Sequence, residues 1–543
     1  MKMTPAGALL HQVQARPKSA AFIFHEEVWT YERLAIEAES LARGMAVRGV
    51  GPGDRVAIHM MNRPEMIVAY YACFQLGAIA APLRTALKFA ELAPILRRLR
   101  PALYLGEMSL YDNVAAVDAS ILALDKRFVV NGTFEDDGIQ PWEALFDAPG
   151  NESLSTPPGS YKPSVLITTS GTTGQPKFVV HTPATLAEST DLLVKTWGLS
   201  DDDIMIEPLP LAHMSGLMTL LSFVHFGAPF VLLESFDADL VLDTIERHRC
   251  TWLIGFPAQF AAMLGSQLAR PRNLKSLRIC LTGADVCPID LQERVTVTFG
   301  APLYNVWGAT EVVGSLTFGL QPGPVVRITK GARIRLIDEK GADVGDGEVG
   351  ELLIRGGNVF DGYWNDPKAT GESLRAGWYH TGDLMRRGER DELWFVSRKK
   401  DIIIRGGTNI SPVEVEEALV ASHPTVRQAA VVGIPDAVLG QRVFGFVKLA
   451  DGTKHTVVSE ILRNVASRLA SYKVPESLEV LDELPRNALS KVDRNALQVM
   501  AAKTDKTDKT DKAEKAGRAL IEAMALQPKH PDARPPGRVA RIS

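Results

Sequence analysis

The chain has 543 residues, 46% hydrophobic and 23% charged, which is the balance of an ordinary globular protein with material for several cores. Sixty Lys and Arg residues against 64 Asp and Glu residues give a net charge of −4, so the basic surplus of a nucleic-acid-binding protein is excluded. The four cysteines (Cys73, Cys250, Cys280 and Cys287) form no C-x-x-C pair. Their scatter indicates buried or free thiols in a reducing cytoplasm rather than disulfides or a zinc site.

Apolar runs of strand length alternate with longer helical patterns over roughly the first 400 residues. Residues 55–60 precede the helical pattern of residues 64–78, and residues 230–234 precede that of residues 237–248. Such alternation predicts parallel sheets covered by helices.

One stretch, from Pro208 to Leu233, contains no charged residue and is long enough to cross a membrane. It is interrupted by prolines, glycines, His213 and His225, which favours a buried helix followed by a buried strand at 230–233. The N-terminus lacks the apolar run of a signal peptide. We therefore expect no membrane span and a cytoplasmic protein.

The pattern changes in the last third of the chain. Short strands separated by Gly and Asp between Ala332 and Phe395 predict a β-rich subdomain. A compact α+β unit follows from about Arg398. Its predicted helices cover residues 411–422 and 457–470, and its predicted strands cover residues 428–434 and 445–450.

These patterns divide the chain into domains over residues 1–397 and 398–500, followed by a linker and tail over residues 501–543. Residues 503–512 repeat Thr-Asp-Lys, which predicts a solvated low-complexity linker. Apolar residues between 513 and 524 then fall on one helical face. A docking helix on a tether is one interpretation, and a tolerated, partly disordered extension is the favoured one.

The strongest chemical signal is a loop of small residues after the strand predicted at residues 165–168. The loop consists of Thr169, Ser170, Gly171, Thr172, Thr173 and Gly174. Such a loop can direct several backbone N–H groups and hydroxyls at one anion, and Lys177 would add a positive charge. It is not a Walker A loop, because Phe178 rather than Ser or Thr follows the lysine. A Ser/Thr-rich surface turn is the alternative, but it leaves the strand–loop–lysine order unexplained.

A second glycine pattern, at residues 345–350, matches G-x-G-x-x-G. The dinucleotide-binding fingerprint must follow a strand and open a helix, whereas this pattern precedes a strand. We interpret it as a turn.

Several further segments accompany the loop TTSGTTGQPK in a fixed order along the chain. They are WTYERL, GPGDRVAI, NRPE, PLPLAHMSGL, TGAD, NVWGATE, GYW, GWYHTGDL, SRKKDIIIRGGTNISPVEVE, YKVPE and LPRNALSKVDR. Together they resemble the signature of the AMP-forming adenylating superfamily, which includes acyl-CoA synthetases, carrier-protein adenylation domains and firefly luciferase. The resemblance covers about residues 15–500. It implies an α/β fold, with a large N-terminal domain of helix-covered sheets, a β-rich subdomain and a small mobile α+β C-terminal domain.

The resemblance also implies a nucleotide site. The backbone of Gly283, Ala284 and Asp285 would contact adenine, Asn305 would bond its exocyclic amine, Trp307 would stack on the purine, Thr310 would bond a phosphate, and Asp383 with Arg398 would hold the ribose. The family more often has tyrosine at the Trp307 position, and both rings can stack. Glu311 is a hard oxygen ligand suited to Mg²⁺ on the triphosphate.

Lys491 is the catalytic residue that the resemblance implies. A cation placed between an attacking carboxylate and the α-phosphate lowers their repulsion and stabilises the growing charge. The glycine that usually precedes this lysine in the family is Ser490 here. Lys400 matches the family's hinge position, and Gly406 and Gly407 match the lining of the channel by which a pantetheine thiol enters.

His213 matches the gate between the acyl pocket and this channel, whereas His380 is expected to be structural. Met214 follows the gate residue. At the Met214 position, relatives that activate amino acids have Asp, which holds the ammonium group, and those that activate salicylate-type acids have Asn. An apolar thioether can do neither task. With Phe256 and Val313, as well as Val312 and Met218, it predicts an apolar pocket. The expected substrate is an uncharged-tailed monocarboxylic acid, aliphatic (fatty) or simple aromatic.

The leading hypothesis is an acid–CoA ligase that uses ATP, Mg²⁺ and coenzyme A and works through an acyl-adenylate. A stand-alone ligase that loads a carrier protein is the close alternative, because both acceptors present a pantetheine thiol. A catalytically idle family member that only binds partners is a distant one. The acid's chain length and the oligomeric state, a homodimer included, are left open.

Overall fold

A computed structural model of the chain describes residues 2–132, 138–146, 162–169, 176–285, 287–405, 408–436, 439–453, 455–487 and 491–504. It divides into two compact units, the first ending at Lys400 and the second beginning at Asp401. The expected tail falls largely outside the described residues. Residues 494–504 are helical, and Ala501 is buried against the core of the second unit.

The elements up to residue 200 begin with a helix and alternate thereafter. The helices are α1 (Pro5–Ala15), α2 (Tyr31–Val47), α3 (Pro64–Leu76), α4 (Phe89–Leu99), α5 (Met108–Ala115) and α6 (Pro183–Trp197). The strands are β1 (Ala20–Phe24), β2 (Glu27–Thr30), β3 (Arg55–His59), β4 (Ile79–Pro82), β5 (Leu103–Glu107), β6 (Arg127–Val130), β7 (Gln140–Pro141), β8 (Val165–Thr169) and β9 (Lys177–His181).

The remainder of the first unit completes the alternation and then becomes strand-rich. Its helices are α7 (Met214–Phe226), α8 (Ala238–His248), α9 (Pro257–Ala269), α10 (Ile289–Phe299) and α11 (Pro367–Ser373). Its strands are β10 (Met205–Glu207), β11 (Phe230–Leu232), β12 (Trp252–Gly255), β13 (Ile279–Thr282), β14 (Leu303–Asn305), β15 (Leu316–Phe318), β16 (Val325–Ile328), β17 (Arg333–Ile337), β18 (Val349–Arg355), β19 (Leu374–Arg375), β20 (Trp378–Arg387) and β21 (Glu392–Arg398).

The second unit has the predicted α+β composition. It contains β22 (Ile403–Arg405), β23 (Thr408–Ile410), α12 (Pro412–Ser422), β24 (Val426–Asp436), β25 (Gly440–Leu449), α13 (Val458–Ala466) and β26 (Ser477–Val480). Helix α13 is shorter than the prediction of residues 457–470. The Ser467 hydroxyl donates to the carbonyl of Asn464, a local bond that competes with continuation of the helix.

Four sheets organise these strands. Two seven-stranded sheets have the orders β14-β13-β12-β10-β11-β1-β2 and β7-β6-β5-β3-β4-β8-β9, and both are parallel apart from the β1–β2 and β8–β9 pairs. A third, antiparallel sheet runs β15-β16-β21-β20-β18-β17. The sheet of the second unit runs β23-β22-β25-β24, with β26 parallel to β25. The expected α/β fold with a β-rich subdomain and a small α+β domain is confirmed.

The largest apolar core packs α2, α3, α6 and α7 against strands of both seven-stranded sheets. Helices in this core are apolar nearly all round, since eleven of the thirteen residues of α3 are buried. The uncharged stretch before residue 233 is α7 followed by β11, as predicted. Among the described residues, no helix is long and apolar enough to cross a membrane. All four cysteines are buried thiols.

Local sequence signals explain where the elements near the site begin and end. Thr182 accepts from the backbone N–H of Thr185 and Pro183 follows at the first helical position, so α6 starts immediately after β9. The turn predicted within residues 345–350 ends where β18 begins at Val349, and Gly347 in it has a φ of +81°.

Candidate active site

The candidate site begins at the neck of the small-residue loop, by which we mean the pair Thr169 and Lys177 at its two ends. Strands β8 and β9 flank it, and Thr169 lies directly opposite Lys177 in their antiparallel register. Ser170, Gly171, Thr172, Thr173 and Gly174 lie outside the described residues. The Nζ atom of Lys177 lies 4.7 Å from the ring centroid of Tyr363, within cation–π range. The predicted cation is thus held at the loop by an aromatic ring from the GYW segment.

The GYW segment reaches this position by pairing with the outer edge of β9. The Val180 N–H donates to Gly362 O over 3.0 Å, and the Asp361 N–H donates to Val180 O over 2.9 Å. The Tyr363 hydroxyl donates to Oε1 of Glu311 over 2.8 Å. Burial and the neighbouring Glu311 carboxylate raise the pKa of Tyr363, so the phenol remains a donor at neutral pH. One tyrosine therefore contacts both Lys177 and Glu311.

The backbone around Glu311 is held from two further sides. Nε2 of His181, the last residue of β9, lies 2.7 Å from the carbonyl of Thr310, and Phe360 N–H donates to the carbonyl of Glu311 over 2.8 Å. A carbonyl can only accept, so Nε2 carries the imidazole proton. Burial lowers the pKa of His181 to about 4, which keeps the ring neutral. Residue 310 is thereby bonded to β9, and residue 311 is bonded to the segment just before Asp361, which pairs with β9.

Trp307, Asp383 and Arg398 form one connected group. The indole Nε1–H donates to Oδ2 of Asp383 over 2.8 Å, and Arg398 Nε lies 3.2 Å from its Oδ1. Asp383 is buried in β20, directly opposite Arg398 of β21. A residue expected to stack on the purine thus touches the carboxylate expected to hold the ribose.

The TGAD segment lies beside the end of β14, just before Trp307. A Cβ at Gly283 would lie 2.6 Å from the carbonyl oxygen of Val306, so only glycine fits there. Ala284 has a φ of +67°, an uncommon conformation for a residue with a side chain. Asn305 is buried at the end of β14, next to the end of β13. The predicted adenine-contacting segment, Gly283 to Asp285, therefore lies beside the strand that leads to Trp307.

His213 caps the N-terminus of α7. The backbone N–H of Ser215 donates to Nδ1 over 3.3 Å, and the Ser215 hydroxyl lies 2.7 Å from the same atom. Because Nδ1 accepts a backbone N–H, the proton of the neutral ring resides on Nε2. The ring lies edge-on to Phe256, with 6.4 Å between centroids.

The predicted acyl-pocket residues share one apolar cluster. Met214 and Met218 are buried members of it, and Phe256 and Val313 pack on it partly buried. Val312, also considered for the pocket, packs instead in the core of the β-rich subdomain.

Two residues that sequence reasoning missed hold the loop before the gate. Asn62 donates to the carbonyls of Leu209 (2.8 Å) and Leu233 (3.1 Å), and its Oδ1 accepts from Leu211 N–H (2.8 Å). The Tyr70 hydroxyl donates to the carbonyl of Leu211 over 2.8 Å. The NRPE segment was one of the recognised motifs, but no local pattern linked residue 62 to residues 209–211.

Lys400 ends the first unit, and Lys491 belongs to the second. Lys400 is exposed, in a 3₁₀ turn (Lys399–Asp401) at the boundary of the two units. In the second unit, the Asn487 N–H donates to Lys491 O over 2.8 Å. Gly406 and Gly407 lie outside the described residues. Burial lowers the pKa of His380, whose Nδ1 lies 3.6 Å from Glu351.

The donor set around Glu311 fits a nucleotide-borne magnesium ion. Within the part of the chain that the structure describes, no three His, Cys, Asp or Glu side chains form a protein-only metal cluster. Mg²⁺ in nucleotide sites needs only one or two carboxylates, because phosphates and waters complete its coordination. Glu311 provides such a carboxylate, connected through Tyr363 to Lys177.

Comparison with known proteins matches both units to family models. Residues 9–364 match the AMP-binding enzyme family, and residues 414–491 match the AMP-binding enzyme C-terminal domain. The chain is 34% identical to an indoleacetate–CoA ligase of Aromatoleum aromaticum, over 90% of this chain and 96% of that protein. It is 30% identical to a medium-chain fatty-acid–CoA ligase of Escherichia coli, over 87% and 86% of the two chains. The structure of o-succinylbenzoate CoA synthetase from Bacillus subtilis, in complex with ATP and a magnesium ion, superposes with a TM-score of 0.77 at 29% identity, over 90% of this chain and 98% of that chain.

Proposed function

The chain belongs to the AMP-binding enzyme family and is an AMP-forming acyl-CoA ligase, and from this premise we propose that it activates an uncharged-tailed monocarboxylic acid in two steps. In the first, the acid's carboxylate oxygen attacks the α-phosphorus of ATP, and the bond to pyrophosphate breaks. In the second, the thiolate of coenzyme A attacks the acyl carbon of the acyl-adenylate, and AMP leaves. The products are the thioester, AMP and pyrophosphate.

The observation that carries this proposal is the convergence of Lys177 and Glu311 on Tyr363 beside the loop neck. Lys177 would bind the phosphates together with the loop, Thr169 to Gly174, and Thr310 would bond a phosphate oxygen. Glu311 would hold Mg²⁺, which screens the charge of the triphosphate. Tyr363 would keep the carboxylate and the ammonium group oriented without removing either charge.

The group of Trp307, Asp383 and Arg398 would bind the adenosine. Asp383 would accept from the ribose hydroxyls, and its bond from the indole Nε1–H orients the ring for stacking on adenine. The Gly283–Asp285 backbone and Asn305 would contact the adenine edge.

The acyl pocket supports an uncharged tail. Met214, Phe256 and Val313 provide apolar walls, and an ionised tail would be costly to desolvate among them. Relatives named for indoleacetate and for medium-chain fatty acids fit this chemistry in an aromatic and an aliphatic form. His213, with its Nε2–H, would gate the path between this pocket and the thiol.

The second unit would contribute the mobile residues. Lys491 would stabilise the charge that develops during adenylate formation. Rotation about Lys400 would then withdraw it and bring Gly406 and Gly407 to the thiol channel, an ordinary gating motion.

The test is ATP–pyrophosphate exchange across a panel of aliphatic and aromatic monocarboxylic acids, repeated with coenzyme A to detect the thioester. We expect exchange with uncharged-tailed acids and thioester formation with free coenzyme A. Lys491→Ala should lower adenylate formation by about 10²–10³-fold yet retain thioester formation from supplied acyl-adenylate. Thioester formation only on a carrier-bound pantetheine would favour the carrier-loading alternative, and absence of exchange with every acid would overturn the proposal.

A further inference from the structure

Arg84 lies beside the neck of the small-residue loop, and none of the motifs identified in the sequence contains it. It follows β4, the strand next to β8 in the sheet. Its Nη2 atom donates to the carbonyl of Thr168 over 3.0 Å, one residue before the loop begins at Thr169. Thr169 pairs with Lys177 where the two strands meet the loop. Arg84 and Lys177 are therefore two cations beside the same loop, Arg84 bonded to β8 and Lys177 at the start of β9.

The charge of Arg84 has no carboxylate partner among the described residues. Its Nη2 atom donates to a neutral carbonyl, and its buried Nε atom has no partner in that part of the chain. Burial lowers the pKa of Arg84 to about 10, so the guanidinium stays charged at neutral pH. Arg84 is partly buried, and such a cation without a counter-charge is unfavourable unless a bound anion pairs with it.

Arg98 provides an internal comparison at the other end of the same loop. Its Nη1 atom donates to the carbonyl of Pro176 over 2.6 Å, so it too bonds a residue next to the loop neck. Its guanidinium lies 5.4 Å from the ring centroid of Phe178, within cation–π range. Arg98 thus has an aromatic partner for its charge, whereas Arg84 has none within the described ranges.

We infer that Arg84 binds the β- and γ-phosphates of ATP and the pyrophosphate released from them, a contact that deepens and rests on the proposed function. A guanidinium can donate two parallel N–H bonds to a phosphate group, and the Nε–H of Arg84 is a buried donor with no partner among the described residues. Negative charge grows on the pyrophosphate as its bond to the α-phosphorus breaks, and Arg84 stabilises that charge. The thioester-forming step contains no pyrophosphate and should not need Arg84.

The experiment compares Arg84→Gln, Arg84→Lys and the control Arg98→Gln in the full chain. Binding of inorganic pyrophosphate is measured by calorimetry, pyrophosphorolysis of supplied acyl-adenylate gives KM for pyrophosphate, and thioester formation from acyl-adenylate isolates the second step. For Arg84→Gln we expect at least about tenfold weaker pyrophosphate binding, with the KM of the acid and the thioester step changed less than about twofold. Arg84→Lys should recover part of the affinity, and Arg98→Gln should stay within about threefold of wild type.

Two outcomes would overturn the inference. A raised KM for the acid with unchanged pyrophosphate binding would assign Arg84 to the acid's carboxylate. An equal fall of both half-reactions in Arg84→Gln and Arg84→Lys, with a lower Tm, would make Arg84 a clamp of the loop only. Failure of the proposed function can be distinguished from failure of this inference. If the proposed function is wrong, the wild type catalyses no ATP–pyrophosphate exchange, but calorimetry with pyrophosphate still tests Arg84.

Discussion

Tyr363 donates a hydrogen bond to Glu311. The proposed mechanism needs the negative charge of Glu311, whereas Tyr363 only orients that carboxylate. Glu311→Gln keeps the side chain's size and removes the charge expected to hold Mg²⁺. We expect adenylate formation to fall by about 10²-fold or more and the Mg²⁺ requirement to rise. A Mg²⁺ titration of the pyrophosphate-exchange rate checks this.

Tyr363→Phe is the matched control, because it removes the hydroxyl bonded to Glu311 and leaves the ring over Lys177. One hydrogen bond to a charged group is worth about 1.5–3 kcal/mol, so a loss of about 10- to 100-fold is expected. Its Mg²⁺ titration should stay close to wild type. An unchanged Mg²⁺ requirement in Glu311→Gln would place the metal on other ligands.

Trp307 differs from the tyrosine more usual in the family, and its indole N–H bonds Asp383. Trp307→Phe keeps an aromatic face for the purine and removes that donor from a buried carboxylate. We expect KM for ATP to rise by about tenfold or more, with the KM of the acid little changed, because a charged hydrogen bond is lost. Trp378→Phe, in the same strand as Asp383, is the control. Unchanged KM for ATP in Trp307→Phe would show that the bond does not serve the nucleotide.

At the scale of elements, the loop between β10 and α7 depends on α3 and the residues just before it. Asn62→Ala would leave the carbonyls of Leu209 and Leu233 and the N–H of Leu211 without this partner. Each unsatisfied buried group costs about 1–3 kcal/mol, so the free energy of unfolding should fall by about 3 kcal/mol or more. Urea denaturation measures that change, and the KM of the acid should rise because the loop carries His213.

Tyr70→Phe serves as the graded comparison, since it removes a single bond to Leu211. It should cost about 1–2 kcal/mol and affect the KM of the acid less. If Asn62→Ala were no more destabilising than Tyr70→Phe, the loop would be held by its packing rather than by Asn62.

The order of helices and strands could be predicted because each produces a local pattern of apolar residues along the chain. Buried parallel strands such as β12 are continuous apolar runs, and prolines open α3, α6 and α12. Pairing between distant segments could not be predicted. The contact of residues 361–364 with β9 depends on long-range register, which no local pattern encodes.

The same limit applies to the candidate site. Motif order indicated Lys177, Glu311 and Asp383, because these residue types suit phosphate, magnesium and ribose. The contacts that join them run through Tyr363 and Trp307 side chains, whose directions follow only from the folded chain. The role that we propose for Arg84 has no signal in the sequence, because a single arginine after a short strand resembles an ordinary surface charge.

At the scale of the whole molecule, buried histidines couple stability to acid pH. Burial lowers the pKa of His181 from 6.5 to about 4 in the folded state. Between these values the unfolded chain binds a proton that the folded chain does not, so stability falls as the pH is lowered from 6.5 to about 4. At about 1.4 kcal/mol per pH unit, His181 accounts for a loss of about 3 kcal/mol.

His181→Gln removes this titration while keeping an amide that can donate to Thr310 O. The difference in unfolding free energy between wild type and His181→Gln should therefore shrink by about 3 kcal/mol on acidification. Urea denaturation at several pH values measures it. A constant difference would mean that His181 is protonated in the folded protein. His59, whose pKa burial also lowers to about 4, remains in both proteins and cancels in the comparison.

The last prediction concerns the residue at which the two compact units meet. Rotation of the second unit about Lys400 would require a change in backbone torsion, and a proline ring fixes φ near about −65°. Lys400→Pro should therefore separate the half-reactions, with acyl-adenylate formation and thioester formation measured independently, one retained and the other lost. Lys400→Ala removes the charge of this exposed side chain but leaves the torsion free, so it should cost much less. A circular dichroism spectrum and Tm near wild type would exclude unfolding of Lys400→Pro, and full activity in both steps would contradict the hinge.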